Sequence, residues 1–393
     1  MKIEVKKVGE VLIPTMFRES ISSVTKFIVA DNRTIESYDK LFKEVKKDRA
    51  IVIKRGIDRE KIDKLFNYLL KKGSEILDRD LFEKLSSRDG SSSRKKGYDY
   101  HISRKLSRIL LICEEDSIKS FKKEESIENL YGFGGSDYYE DGREKYDSST
   151  NSYLIPYKFY LEISNLLKSG VDVKCIGKTI YSGVNVLVPK SQETTEIFHR
   201  GLGMLSNTPS NILDMGTGSG VLSITAETIF PYAQIYLTDI IGEALATARY
   251  NIGKNYNGSF IYNPKECIDS LGNFNIYRSG DLFEKIYQKF DLIMFNAPWI
   301  VSKARNRNEL ALNDENQRCV TKFLEGSYTH LNDDGRVLLG YSNNSGDEAV
   351  DSLETIIADK KFTTIDRLSV RVQSYQSGRK WMKIYLYILK KEV

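Results

Sequence analysis

Three short segments in the second half of this 393-residue chain gather side chains able to hold and orient a ligand. The run Asp214-Met215-Gly216-Thr217-Gly218-Ser219-Gly220 follows an apolar stretch and precedes a helical one, VLSITAETIF. Glycines at alternate positions let a backbone turn tightly and approach a ligand closely. A dinucleotide-binding loop would place its third glycine at position 221, where Val221 stands. Further on, QIYLTD ends in Asp239, and YRSGDLFEKI holds Asp281 and Leu282, with Asp281 and Glu284 at the spacing of a helix capping box. The strongly apolar FDLIMF then stops at Asn296-Ala297-Pro298-Trp299. Carboxylate and amide oxygens accept hydrogen bonds, and an indole offers a flat apolar face. Such groups can bind a ligand and aim it. Ser219 sits in TGSGV and lacks the GxSxG context of a hydrolase nucleophile. His101, His199 and His330 have no ligand-like spacing, so no metal site is expected.

The elements that must position these segments alternate. NILDM, QIYLTDI, FDLIMF, RVLLGYS and WMKIYLYIL read as strands, and VLSITAETIF, EALATARYNI, VTKFLEGSYTHL and DSLETIIADK as helices. The expectation is an α/β fold, a parallel sheet with helices on both faces, whose ligands sit beyond the carboxyl ends of the strands. Residues 1–130 mix amphipathic helical patterns such as REKIDKLFNYLLKKG with β-branched runs such as RAIVIKRG, which predicts a separate α+β domain. Residues 131–152, rich in Gly, Tyr, Ser and Asp, read as a linker, with a lid over a substrate as the alternative. The second domain is expected over 153–393.

In order along the chain, these motifs resemble those of class I S-adenosylmethionine (SAM)-dependent methyltransferases. LDMGTGSG is similar to the first motif of that fold, a Rossmann-like sheet. The resemblance implies SAM as cofactor, held by Asp214, Gly216, Thr217, Gly218, Gly220, Asp239, Asp281, Leu282 and Asn296, with Asp239 on the ribose hydroxyls and Asp281 on the adenine amino group. Asn296-Ala297-Pro298-Trp299 resembles the [ND]PP[YFW] motif of enzymes that methylate planar nitrogens. There the Asn side-chain oxygen and the next carbonyl, here Asn296 and Ala297, accept the two N–H groups of the target, and Trp299 would stack on it. Ala297 departs from the usual Pro, which implies a less rigid loop. Upstream, IGKTIYSGVNVLVPKSQETTEIF is similar to the hairpin (residues 171–192) and PRPETE segment of the HemK/PrmC group, with Pro189, Glu193, Thr194 and Glu196 as candidate substrate contacts. That group methylates glutamine side chains of translation proteins.

An N-methyltransferase acting on a protein glutamine-type side chain is therefore the first expectation. An RNA or DNA base amine and a small molecule follow, and a SAM-binding regulatory protein without catalysis is the alternative of another class. A net charge of +5 hides a basic segment, Lys84 to Arg108, with eight Lys or Arg against Asp89 and Asp99, a candidate for phosphate contact. The opening MKIEVKKVGEVLIP has no signal-peptide apolar core, and no run reaches membrane-span length, so a cytoplasmic protein is expected. Cys113, Cys175, Cys267 and Cys319 form no CxxC pair and are expected to be reduced and buried.

Overall fold

A computed structural model describes residues 2–392 apart from 14–20, 22, 77–100, 115–116, 124, 127–151, 167–169, 184–185, 187–191, 264–267, 278–280, 285, 305–308, 310 and 374–380. The chain divides into two compact units, Met1–Asn165 and Leu166–Val393.

The first unit is built on strands β1 (Lys2–Val5), β2 (Gly9–Leu12), β3 (Lys26–Ala30), β4 (Arg49–Ile53), β5 (Ile109–Glu114) and β6 (Ser152–Pro156), in the order β1-β2-β6-β5-β4-β3. Strands β3, β4 and β5 run parallel, and β6 returns antiparallel along β5. Helices α1 (Tyr38–Lys46) and α2 (Arg59–Lys71) bury one stripe each: Leu41 and Val45, then Ile62, Leu65, Phe66 and Leu69. The expected boundary after residue 152 moves to 165/166, because β6 and helix α3 (Tyr157–Leu166) belong to this first unit. Tyr157 and Tyr160 of α3 stack and pack edge-on against Phe121, closing its core. Of the expected linker, residues 131–151 lie outside the described residues.

Of the basic segment, residues 84–100 also lie outside the described residues. Its carboxyl end turns inward: Arg108 is 2% exposed and pairs with Asp48 at 2.5 Å, and Lys105 reaches the same carboxylate at 2.7 Å. The expectation of phosphate contact fails for Arg108, since a buried cation is tolerable only when paired and its guanidinium is paired within the unit.

The second unit opens with the hairpin β7 (Val171–Val173) and β8 (Lys178–Ile180) and then helix α4 (Glu193–Gly203). Its main sheet holds β9 (Asn211–Met215), β10 (Gln234–Thr238), β11 (Ile261–Asn263), β12 (Ile268–Leu271), β13 (Phe274–Tyr277), β14 (Phe290–Asn296), β15 (Leu331–Ser342), β16 (Phe362–Gln373) and β17 (Trp381–Lys391). Their order is β11-β12-β13-β10-β9-β14-β15-β17-β16. The central strands β13, β10, β9, β14 and β15 are parallel, and β17 is antiparallel to both its neighbours.

Helices α5 (Val221–Ile229), α6 (Gly242–Tyr256), α7 (Arg318–His330) and α8 (Asp347–Asp359) complete the unit. Strand β14 shows why both faces are covered: Leu292 and Met294 join α4, α5 and α6 in one core, while Ile293 and Phe295 join α7 and α8 in the other. A strand apolar on both faces must be buried on both, which is what FDLIMF encodes. From β9 the chain crosses to β10 on one side and β14 lies on the other. The strand order thus reverses between β9 and β14, and in open α/β sheets that crevice is where ligands bind.

Candidate functional site

The three chemical segments meet at the carboxyl ends of β10, β9 and β14. Met215 is in register with Thr238 on one side and with Phe295 on the other, so the glycine loop, Asp239 and Asn296 leave the sheet side by side. Gly216, Gly218 and Gly220 all have positive φ, 62°, 55° and 79°, a conformation that L side chains rarely adopt. The loop is also tied down. Thr217 donates its amide to the Thr238 carbonyl at 3.0 Å, and Gly218 donates its amide to Asp239 Oδ2 at 3.0 Å. Asp239 Oδ1 accepts the Ile241 amide at 2.9 Å, which fixes the turn into α6.

Asp214 is fully buried, and its Oδ2 accepts from Thr217 Oγ1 (2.7 Å), Ser223 Oγ (2.6 Å) and the Ser223 amide (3.1 Å). Burial outweighs these bonds and raises its pKa to about 6. The sign follows from the raised value. The stabilisation relative to the ionised form is complete below the unfolded pKa of 3.8 and is lost as pH rises through about 6. Against an Asp214→Asn variant, wild type is expected to lose about 2 kcal/mol of unfolding free energy between pH 4 and pH 7. Urea unfolding of both proteins across that range checks it, and a constant difference would contradict a raised pKa.

Two side chains support the loop without a sequence signal. Asn251, fully buried within α6, donates its Nδ2 to the carbonyls of Ser219 (2.9 Å) and Tyr181 (3.0 Å) and accepts the Tyr181 amide at 2.8 Å, joining the loop to the segment after β8. Ser223 anchors the loop through Asp214. An asparagine inside EALATARYNI and a serine inside VLSITAETIF look like ordinary helical residues until the fold brings partners to them.

Asp281 is exposed, with Lys322 Nζ at 3.8 Å. Glu284 does reach back, its Oε2 accepting the Asp281 amide at 3.2 Å, but residues 281–284 close a turn and no helix follows as a capping box would require. Leu282 stands at φ 55°, so the turn carries local strain in a residue other than glycine. Cys319, at the start of α7, is half-buried, and its thiol is pushed up to about 12 by burial and by the carboxylates of Asp314, Asp281 and Asp239. Of the other cysteines, Cys113 is buried and Cys175 half-buried, both free, so the expectation of burial holds for one of the three described.

Asn296 ends β14, and its Oδ1 is buried beside Gly340 and Phe198 with no hydrogen-bond donor among the described residues. An unpaired buried acceptor costs about 1–3 kcal/mol, a penalty that a functional partner would relieve. Ala297 is buried and donates its amide to the Gly340 carbonyl at 3.1 Å. This corrects the expectation of a looser motif, because proline has no N–H to make that ladder bond and alanine does. Pro298 and Trp299 are half-buried, and the Trp299 indole packs against both cores. Ser345 accepts the Val301 amide at 2.8 Å and donates its hydroxyl to the Trp299 carbonyl at 3.1 Å, pinning the chain beyond the motif.

Of the upstream candidates, Glu193 and Thr194 are half-buried in the first turn of α4, Glu196 is exposed, and the fully buried residue of that turn is Thr195. Pro189 lies outside the described residues. Phe198, one turn further along α4, meets Gly340 beside Asn296, so this helix packs against the motif. His330 bonds the carbonyls of Gly326 (2.8 Å) and Ile286 (3.0 Å) and stacks on Phe283, a structural role. No group of three or more metal-ligating side chains gathers among the described residues, and no helix there is long and apolar enough to cross a membrane.

Residues 193–366 match the family model described as methyltransferase small domain. Among curated proteins, a release factor glutamine methyltransferase of Rhodopirellula baltica is 27% identical over 175 residues, 40% of this chain and 54% of its own length. The protein of the same description from Lactococcus lactis is 29% identical over 179 residues, 42% of this chain and 60% of its own. A ribosomal protein uL3 glutamine methyltransferase of Francisella tularensis is 35% identical over 92 residues, 23% of this chain and 25% of its own. The chain thus spans less than two thirds of the length of these relatives. Residues 193–366 carry the methyltransferase small domain, and the unit that holds them is similar, over the stretch they share, to the release factor glutamine methyltransferases.

Proposed function

We propose that the protein transfers a methyl group from SAM to a planar nitrogen, with a protein glutamine-type side chain as the substrate class. The observation that carries this reading is the juxtaposition at the switch point: a glycine cradle, the Asp239 carboxylate and a buried Asn296 oxygen with no donor among the described residues, at the ends of three adjacent strands. The relatives named above, described as acting on release factor and on ribosomal protein uL3, support glutamine over other nitrogens.

The residues present fit SAM. Among the described residues, a Cβ on Gly218 would meet only the Gly216 carbonyl oxygen, at 4.0 Å, so the loop presents bare backbone. Asp239 already accepts a backbone amide on each oxygen, and a carboxylate's two acceptor oxygens are the chemistry that a vicinal diol requires. Gly216, Thr217, Gly218 and Gly220 would hold the cofactor with Asp214 beneath them, Asp239 would take its ribose, and Asp281 with Leu282 its adenine. When bound, SAM supplies a methyl group already electrophilic on its sulfonium sulfur.

Asn296 and the Ala297 carbonyl would each accept one N–H of the target, holding the nitrogen so that its lone pair faces the methyl carbon. Positioning of this kind contributes up to about 7–11 kcal/mol toward a barrier in the best cases. Positive charge develops on the nitrogen as the new bond forms, which strengthens both N–H···O bonds in the transition state relative to the ground state. Trp299 would lie against the flat face of the amide. No strong base is needed to deprotonate the nitrogen beforehand.

Incubation with methyl-labelled SAM and fractionated cell extract tests the reading. Label is expected in protein, recovered as N-methylglutamine after proteolysis. Label on carbon or oxygen, or none at all, would refute it. A second measurement addresses the cofactor: Asp239→Ala is expected to weaken SAM binding by about 1–3 kcal/mol, since the ribose hydroxyls and two backbone amides lose their acceptor. Calorimetry giving an unchanged Kd would remove Asp239 from the site.

A further inference from the structure

We propose that Gly340 is a positioning residue that gives the Asn296 carboxamide the room it needs to meet a substrate; the inference rests on the N-methyltransferase reading above. Gly340 lies opposite Asn296 in the β14–β15 register, and its carbonyl anchors the Ala297 amide. A Cβ built on Gly340 would stand 2.9 Å from Asn296 Oδ1 and 2.7 and 3.0 Å from the Cε2 and Cζ atoms of Phe198. Real side chains essentially never approach so closely. The carboxamide and the buried Phe198 ring therefore occupy the space that any other residue at 340 would need.

Backbone conformation does not explain this glycine. Gly340 is absent from the glycines with positive φ, and it sits inside a long regular strand, where glycine weakens the ladder and packs nothing. What the missing side chain provides is space for the Phe198 ring and for the Asn296 oxygen beside it. In this structure that oxygen is turned toward Gly340 and is buried without a donor among the described residues. To accept an N–H from a substrate the carboxamide must turn toward the opening of the site, and a methyl group at position 340 would restrict that turn. Gly340 thus serves both proposed acceptors, Asn296 through space and Ala297 through the bond to its own carbonyl.

A double-mutant cycle with methyl-labelled SAM, extract lacking the protein, and the full-length chain tests the proposal. Gly340→Ala is expected to keep the Kd for SAM within about three-fold of wild type and to lower kcat at least ten-fold. Adding it to Asn296→Ala is expected to lower turnover no further, because the group it acts through is already gone. Losses that multiply in the double variant, or a Gly340→Ala protein with wild-type kcat while Asn296→Ala is impaired, overturn this inference and leave the N-methyltransferase reading standing. Wild-type turnover in Asn296→Ala, or no transfer by the wild-type protein, takes down both. If Gly340→Ala alone fails to fold, the same cycle is run in a Phe198→Leu background, which removes the ring contact and keeps the carboxamide contact.

Discussion

Asn296→Ala is expected to leave SAM affinity within a few-fold of wild type and to lower turnover about 100-fold, the scale of loss when one preorganised hydrogen-bonding group of a reaction site is removed. The separation of the two effects follows from where the residue sits. Asn296 is the last residue of β14, and the backbone contacts that shape the glycine loop come instead from Thr238, Asp239 and Asn251. Removing its carboxamide takes away one of two acceptors for the target N–H groups and frees the nitrogen to rotate its lone pair off the methyl carbon. Asn296→Asp keeps an acceptor oxygen in the same place and is expected to retain part of the activity. Single-turnover kinetics with SAM held in excess distinguish loss of transfer from loss of binding. Equal turnover by wild type and Asn296→Ala would end the assignment.

Gly218→Val is expected to abolish measurable SAM binding while the unit stays folded, and Gly220→Ala to lower its melting temperature. Both glycines have positive φ, where a side chain costs about 1–2 kcal/mol for conformation alone. Their surroundings differ. A side chain at 218 points into space, so it obstructs the ligand that the loop would cradle and little of the protein. A Cβ at 220 stands 3.1 Å from the Ala248 Cβ and 3.2 Å from its Cα, where the main chain of α6 cannot give way as a flexible side chain could. Thermal unfolding and calorimetric titration on the two variants check the contrast. If Gly218→Val binds SAM normally, the loop does not hold the cofactor; if Gly220→Ala melts as wild type does, the packing of α5 on α6 is looser than described.

The amino-acid sequence by itself determined the methyltransferase unit's class and the places where its chemistry would be found. FDLIMF can satisfy an apolar pattern on both faces only as an interior strand, the helical runs between strands force a layered sheet, and a glycine loop or a polar tetrapeptide at a strand's end marks a carboxyl edge. These are local properties, set by side-chain period and backbone freedom within a few residues. The [ND]PP[YFW] resemblance was legible for the same reason, though the meaning of Ala297 was not, because its amide matters only opposite the Gly340 carbonyl. Tertiary structure alone decided the rest. Asn251 reaches Ser219 across 32 residues, Gly340 faces Asn296 across 44, and Phe198 comes to both from a helix that precedes the sheet. Arg108 looked like a solvated cation until Asp48 was brought against it, and β6 looked like the start of the second domain until its hydrogen bonds fell to β5. Pairing between distant segments depends on which faces the whole chain can bury at once, and no window of sequence contains that information.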